Sequence, residues 1–167
     1  MALPDRQIVA EVGGDSMALA RASALRALSR REYSVFELRS KLERQYDDQV
    51  VEQLLDELLT QRLLSDGRFT EVFVRSRIER GHGPMRIRQE LCQRGIDDEL
   101  IDAHLTFDTE RWSALAGEAL RKRSGLCRDA RAADESVRCK ARARIGRFLT
   151  ARGYPADVIH GLLRELE

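Results

Sequence analysis

Proline is scarce, three in 167 residues, and aromatic side chains number nine. So few prolines leave most of the chain without a residue that interrupts a helix. So few aromatics argue against recognition of nucleic-acid single strands by base stacking. Cysteine is limited to Cys92, Cys127 and Cys139, an odd number with no CxxC spacing. That excludes a disulfide framework and fits reduced thiols of a cytoplasmic protein. Long apolar runs are missing too. The longest, Met17 to Ala20, is four residues, against roughly 20 for a bilayer span, so no membrane association is expected. Residues 1–6 lack a basic region followed by an apolar block, so no signal peptide is expected. An excess of one charge is also absent: the formal net charge is +1.

What is present is an alternation of charge. Basic residues number 29, nearly all of them Arg, whose planar guanidinium suits phosphate and carboxylate. Residues 121–147 carry ten basic and three acidic side chains, and residues 68–94 carry seven and three. Residues 45–61 and 97–110 carry five and six acids, with no Lys or Arg. Solvated helix faces with ion pairs account for any single charge, but the repetition calls for a further reason.

Helix starts and stops can be placed from caps. Residues 1–15 show little periodicity and contain Gly13-Gly14, so a flexible leader is expected there; Ile8 to Val12 has strand character but no partner strand. From Ser16 the apolar positions Met17, Ala20, Ala24, Leu25 and Leu28 form a helical stripe. Ser34 and Glu37 have capping-box spacing. Doublets at Val50/Val51, Leu54/Leu55 and Leu58/Leu59 make a wide apolar face with acids behind it. Ser65-Asp66 can cap a helix carrying Phe69, Phe73, Val74 and Ile78. Gly81 and Gly83 break that helix, and Pro84 suits the first turn of the next. Gly95 and Gly153 suit left-handed caps. Asp97 can cap a short helix, a longer one runs from Thr109, another covers about Val137 to Arg152, and Pro155 opens the last. The stretch 124–136 reads as an irregular loop.

Internal repeats decide the architecture. Arg86 to Ile96 aligns with Arg144 to Tyr154 at an offset of 58 without a gap. The same block aligns with Glu37 to Tyr46 at an offset of 49, becoming 50 after one gap, so that Leu100-Ile101 meets Val50-Val51. The expected fold is all-α: three tandem three-helix repeats (16–64, 65–108 and 109–167) stacked into an elongated, curved array.

Catalytic and metal-binding logic is not visible. His82, His104 and His160 make no HxxxH or HExxH spacing, and with the cysteines they match no zinc pattern. Arg80 to Pro84 lacks the Gly-Lys-Ser/Thr ending of a phosphate loop. Asp97-Asp98 is better explained by capping and dipole pairing than by a cation. Trp112, Phe69 and Phe73 fall at core spacing. No enzyme activity, cofactor or metal is expected.

Two stretches carry a family resemblance: Leu64 to Phe69 leading into Arg80 to Leu91 and Arg94 to Ile96, and Tyr33-Ser34 with Glu37-Leu38 and Lys41-Leu42. These resemble the bacterial regulatory protein RecX family, over about residues 18–165. The resemblance implies tandem three-helix repeats and a cytoplasmic modulator of the RecA recombinase. Such a protein binds the RecA–DNA filament, lies in its helical groove and limits its growth and its recombinase, ATPase and co-protease activities. RecA filaments and single- and double-stranded DNA are the implied partners, and the chain is expected to be monomeric. The basic second helices supply the candidate contacts: Arg39 and Lys41; Arg80, Arg86 and Arg88; Arg142, Arg144 and Arg147. A helical DNA-binding transcription regulator is the alternative, because small helix triplets resemble helix-turn-helix units. Against it, no triplet has a polar reading helix, and the acidic third helices would repel phosphate.

Overall fold

The computed structural model describes residues 6–106, 108–122 and 134–165. Among them are nine α-helices and no strands: α1 (Arg6–Leu28), α2 (Val35–Leu42), α3 (Asp48–Thr60), α4 (Asp66–Glu79), α5 (Pro84–Cys92), α6 (Asp98–His104), α7 (Thr109–Arg121), α8 (Glu135–Arg152) and α9 (Ala156–Glu165). They form three consecutive three-helix repeats, α1–α3, α4–α6 and α7–α9. The helix expected from Ser16 begins at Arg6 instead. Gly13-Gly14 lowers helix propensity by about 1 kcal/mol per residue, but glycine does not terminate a helix as proline does. The expected loop at 124–136 falls mostly on residues 123–133, which lie outside the described residues. Asp134 caps α8 through hydrogen bonds from the Ser136 and Val137 amides, so that helix starts at Glu135, two residues earlier than expected.

The chain gathers into two units: the residues up to Val72 with Arg94–Asp97, and Phe73–Gln93 with the residues from Asp98 on. In the first, Ala20, Ala24 and Ala27 of α1 meet Leu38 and Leu42 of α2 and Val51, Leu54, Leu55 and Leu58 of α3, with Leu64 closing the cluster. Small residues on α1 let the larger leucines of its neighbours approach. Each fully buried leucine contributes roughly 1.5–3 kcal/mol relative to exposure. In the second unit Ile87 and Leu91 of α5, Ile101 of α6, Trp112, Ala116 and Leu120 of α7, Ala141, Ile145 and Leu149 of α8, and Val158 and Ile159 of α9 are buried. The Trp112 indole donates to the Thr106 carbonyl at 3.0 Å and meets Tyr154 edge-on, 6.4 Å between ring centres. Burial pushes the Tyr154 phenol up to about 12.

Each unit contains one turn-on-helix junction of the same design. In the first, the Arg94-Gly95-Ile96 turn lies against the start of α2. Ser34 Oγ accepts from the Glu37 amide at 3.0 Å and donates to the Arg94 carbonyl at 2.8 Å. Glu37 does not reach back as a capping box would; it pairs with Arg31 at 2.7 Å and Arg94 at 3.1 Å. The next amide, of Val35, donates to Asp66 Oδ1 at 2.8 Å. Burial raises the Asp66 carboxyl above its ordinary value; that hydrogen bond opposes the shift and the nearby Asp97 adds to it.

In the second unit the Arg152-Gly153-Tyr154 turn lies against the start of α5. The Gly83 amide donates to the Arg152 carbonyl at 2.8 Å, and the Met85 amide to the Gly153 carbonyl at 3.0 Å. Tyr154 Oη donates to the Gly81 carbonyl at 3.4 Å. The glycines are required by space as well as by dihedral angle. Gly95 and Gly153 have φ of 71° and 83°. A Cβ on Gly95 would lie 2.7 Å from Phe36 Cβ, and one on Gly153 would lie 2.5 Å from the Arg86 nitrogen.

The repeats at either end lack half of this device. The matching turn of repeat 1, Arg44-Gln45-Tyr46, has glutamine where glycine is needed. In repeat 3 the positions matching Gly83 to Met85 are Ala141 to Ala143, inside the continuous helix α8.

Candidate nucleic-acid and partner interface

The structure sorts the expected basic contacts into two groups. Arg39 of α2 forms an ion pair with Glu52 of α3. Arg88 of α5 pairs with two α6 carboxylates, Asp98 at 2.7 Å and Asp102, which raise its pKa, the Asp102 hydrogen bond foremost. These are the same pair in two repeats, since Arg39 matches Arg88 at the offset of 49 and Glu52 matches Asp102 at 50. Arg86 is held by Glu90 at 2.9 Å and donates to the Ala151 carbonyl at 3.3 Å. Glu90 also takes Arg77 at 2.6 Å, whose guanidinium lies 4.4 Å over the Phe73 ring. Burial would raise the Glu90 carboxyl; the hydrogen bonds from Arg86 and Arg77 outweigh it and hold the group below its ordinary value. Arg39, Arg86 and Arg88 therefore join helices together.

The remaining candidates differ among themselves. Lys41 on α2, Arg80 after α4 and Arg147 on α8 are exposed, with no side-chain partner among the described residues. Arg142 is half-buried and Arg144 exposed. With Ala141, Ile145 and Leu149 inward, the helical period puts Arg144 and Arg147 on one outer face and Arg142 on another side. Lys140 joins that outer face, four residues before Arg144, and is exposed. It is absent from the sequence-based candidates, although its i, i+4, i+7 spacing with Arg144 and Arg147 is visible in the chain.

Repeat 3 departs from repeats 1 and 2 at the pairing positions. Gly146 replaces the paired arginine, and Ala156 and His160 replace Asp98 and Asp102. A Cβ on Gly146 would meet nothing within 4 Å. The result is a row of three exposed cations on α8 beside a helix, α9, that offers no acid at the positions from which α3 and α6 hold their arginines.

The histidines and cysteines among the described residues are not part of this row. His104 Nδ1 lies 2.9 Å from the Leu100 carbonyl, and His160 is exposed. Burial and the Arg86, Arg152 and Arg77 charges lower the His82 pKa against Glu90, and its Nδ1 is buried without a partner. Cys92 and Cys139 are free thiols; Cys127 lies outside the described residues. Among the described residues no group of three His, Cys, Asp or Glu is placed to hold a metal ion, and no helix is long and apolar enough to cross a membrane.

Fold and site together define a tandem three-helix repeat protein that carries exposed cations on the second helix of its third repeat. The chain matches two family descriptions: the first three-helix domain of RecX over residues 20–58 and the second over residues 65–105. It is 43% identical over 155 residues to the regulatory protein RecX of Halorhodospira halophila, covering 90% of this chain and 89% of that one. It is 37% identical over 150 residues to the regulatory protein RecX of Pseudomonas putida, covering 89% and 92%. A crystal structure of regulatory protein RecX superposes with a TM-score of 0.79 at 29% identity, covering 99% of this chain and 81% of that one. The RecX crystal structure from Lactobacillus salivarius shares the fold at a TM-score of 0.77 and 20% identity, over 92% and 97%. The chain belongs to the RecX family of regulatory proteins.

Proposed function

We propose that this protein is a non-enzymatic modulator of the RecA recombinase, binding the RecA–DNA filament in the cytoplasm and limiting its recombinase, ATPase and co-protease activities. Family membership supports the regulatory role. The observation that carries the nucleic-acid half is the α8 row, Lys140, Arg144 and Arg147, beside a third helix without the facing acids of α3 and α6. Three cations on one face act on phosphate as a field, without base readout. The expected test result is that the purified protein slows RecA-dependent ATP hydrolysis and strand exchange on single-stranded DNA. No effect of stoichiometric protein on either activity or on filament length refutes the reading. Replacing Lys140, Arg144 and Arg147 by Ala should weaken binding to DNA alone across sequences. It should also flatten the dependence of log affinity on log salt by roughly two units, at about 0.7–0.9 for each phosphate no longer neutralised. Arg39→Ala and Arg88→Ala should leave that slope unchanged.

A further inference from the structure

Within the second unit, residues 80–85 meet the 152–154 turn through four hydrogen bonds. The Arg152 guanidinium donates to the Arg80 carbonyl at 2.5 Å, and the Tyr154 phenol to the Gly81 carbonyl at 3.4 Å. The Gly83 amide donates to the Arg152 carbonyl at 2.8 Å, and the Met85 amide to the Gly153 carbonyl at 3.0 Å. Arg152 therefore grips the loop on both sides of one residue, His82. The His82 amide is itself bonded to the Arg77 carbonyl of α4 at 3.0 Å. Its ring is the exception: Nδ1 is buried and has no partner.

That atom suits a neutral ring and not a charged one. A neutral imidazole carries one N–H and can leave its other nitrogen as a bare lone pair, whereas an imidazolium carries N–H on both and needs an acceptor for each. A buried N–H without an acceptor is costly, and more so on a charged group. Charge acts in the same direction. Arg77 of α4, Arg86 of α5 and Arg152 of the turn face the ring, with Glu90 of α5 opposing them. Glu90 is already engaged by Arg77 at 2.6 Å and Arg86 at 2.9 Å. α7 meets the loop through Ala119. Gly81, at a φ of 73°, leaves little slack there: a Cβ on it would lie 3.2 Å from Ala119 Cβ and 3.5 Å from Arg152 Nη1.

A proton on this ring therefore works against the junction. With the loop lifted into water the imidazolium is solvated, so acid favours the lifted form by mass action. We propose that His82 is an acid-sensitive catch: neutral, it lets the loop close on the 152–154 turn; protonated, it selects a locally open form in which that turn leaves the start of α5 while the rest of the second unit stays folded. The turn follows directly on α8, so the catch bears on the attachment of the helix that carries Lys140, Arg144 and Arg147.

The test is amide hydrogen exchange of the full chain, followed by NMR at about pH 7.5 and about pH 5.5, with each rate divided by its intrinsic rate. The Gly83 and Met85 amides report the junction, and the Trp112 amide, bonded to the Asp108 carbonyl at 3.0 Å, reports the rest of the unit. One proton taken up by an open loop whose histidine has the ordinary pKa of 6.5 bounds the change at about tenfold over that range. Protection of Gly83 and Met85 should therefore fall by up to about tenfold on acidification while Trp112 holds. His82→Gln has no proton to take up there and should hold at all three amides. The wild-type His82 ring should titrate below 6.5 in a carbon–proton correlation spectrum, a measurement that needs no variant. Unchanged protection at Gly83 and Met85 overturns the proposal. So does an equal fall at Trp112, which is unfolding of the unit and not release of the turn. The same fall in His82→Gln, or a ring that titrates at 6.5 or above, overturns it too.

Discussion

Replacing Gly153 by Ala tests the junction in the second unit. Two costs can be worked out. A φ of 83° places an L-residue in the left-handed region, at about 1–2 kcal/mol. The new Cβ would also lie 2.5 Å from the Arg86 nitrogen and 3.0 Å from its Cα. Both are backbone atoms, so no rotamer change relieves the contact. The turn must withdraw, which stretches the bonds from the Gly83 amide to the Arg152 carbonyl and from the Met85 amide to the Gly153 carbonyl. Each such loss costs about 1 kcal/mol, and more where the group stays buried. The sum is about 3–5 kcal/mol, a large share of the roughly 5–15 kcal/mol of an ordinary domain. Gly146→Ala is the internal control. Gly146 lies within α8 with nothing within 4 Å of its added Cβ, so alanine there should stabilise by up to about 1 kcal/mol. Urea unfolding followed by tryptophan fluorescence is a direct assay, because the single tryptophan, Trp112, packs edge-on against Tyr154 next to the turn. With a slope of about 2 kcal/mol per M, Gly153→Ala should lower the midpoint by roughly 2 M and Gly146→Ala should raise it slightly. If both variants shift alike, or Gly153→Ala stays within about 0.5 kcal/mol of wild type, the turn is not the clasp described.

Three further outcomes are expected. Ser34→Ala removes the acceptor of the Glu37 amide and the donor to the Arg94 carbonyl at a fully buried position, so chemical denaturation should show a loss of about 2–4 kcal/mol. His82 has a folded pKa below 6.5, so the unfolded state takes up its proton first as the solution is acidified. Stability should therefore fall as pH drops below about 6.5, and a His82→Gln variant should lack that part of the slope. An ultraviolet titration should find a tyrosine step only near pH 12 that Tyr154→Phe removes; a spectrum in which Tyr154→Phe leaves the high-pH end unchanged would contradict the burial of Tyr154.

Much of the helical plan is legible because it is written locally. Pro84, Gly95 and Gly153 mark their boundaries by dihedral preference, and the offsets of 49 and 58 expose the repeats without any contact information. What escapes depends on groups distant in sequence. Asp66 has cap chemistry, yet its carboxylate serves the Val35 amide, 31 residues away. Half the capping-box pattern at Ser34 is realised, because Arg31 and Arg94 draw Glu37 outward. Counting charge along the chain makes Arg39, Arg86 and Arg88 look available. Their partners arrive from the following helix or, for Arg86, from the next turn of its own helix. The recurrence of Arg39–Glu52 as Arg88–Asp102 shows that the same alignment which finds the repeats also contains the pairing. Lys140 escapes a count of charge density, although the helical period alone puts it in line with Arg144 and Arg147.

The two glycine turns also make the repeats unequal as parts. Repeat 2 donates a turn, Arg94 to Ile96, to one junction and supplies the receiving helix start, Gly83 to Arg86, to the other. Repeat 1 only receives and repeat 3 only donates. A longer protein of this type can therefore be assembled by duplicating the middle repeat in place, since every copy would bring both halves of the fastening. Appending copies of repeat 1 ahead of the chain or of repeat 3 behind it would not work, because Gln45 obstructs one joint and the unbroken α8 leaves no helix start for the other. The order of the three repeats is thus fixed by their fastenings, and growth or grafting in such a chain has one permissive location, its middle.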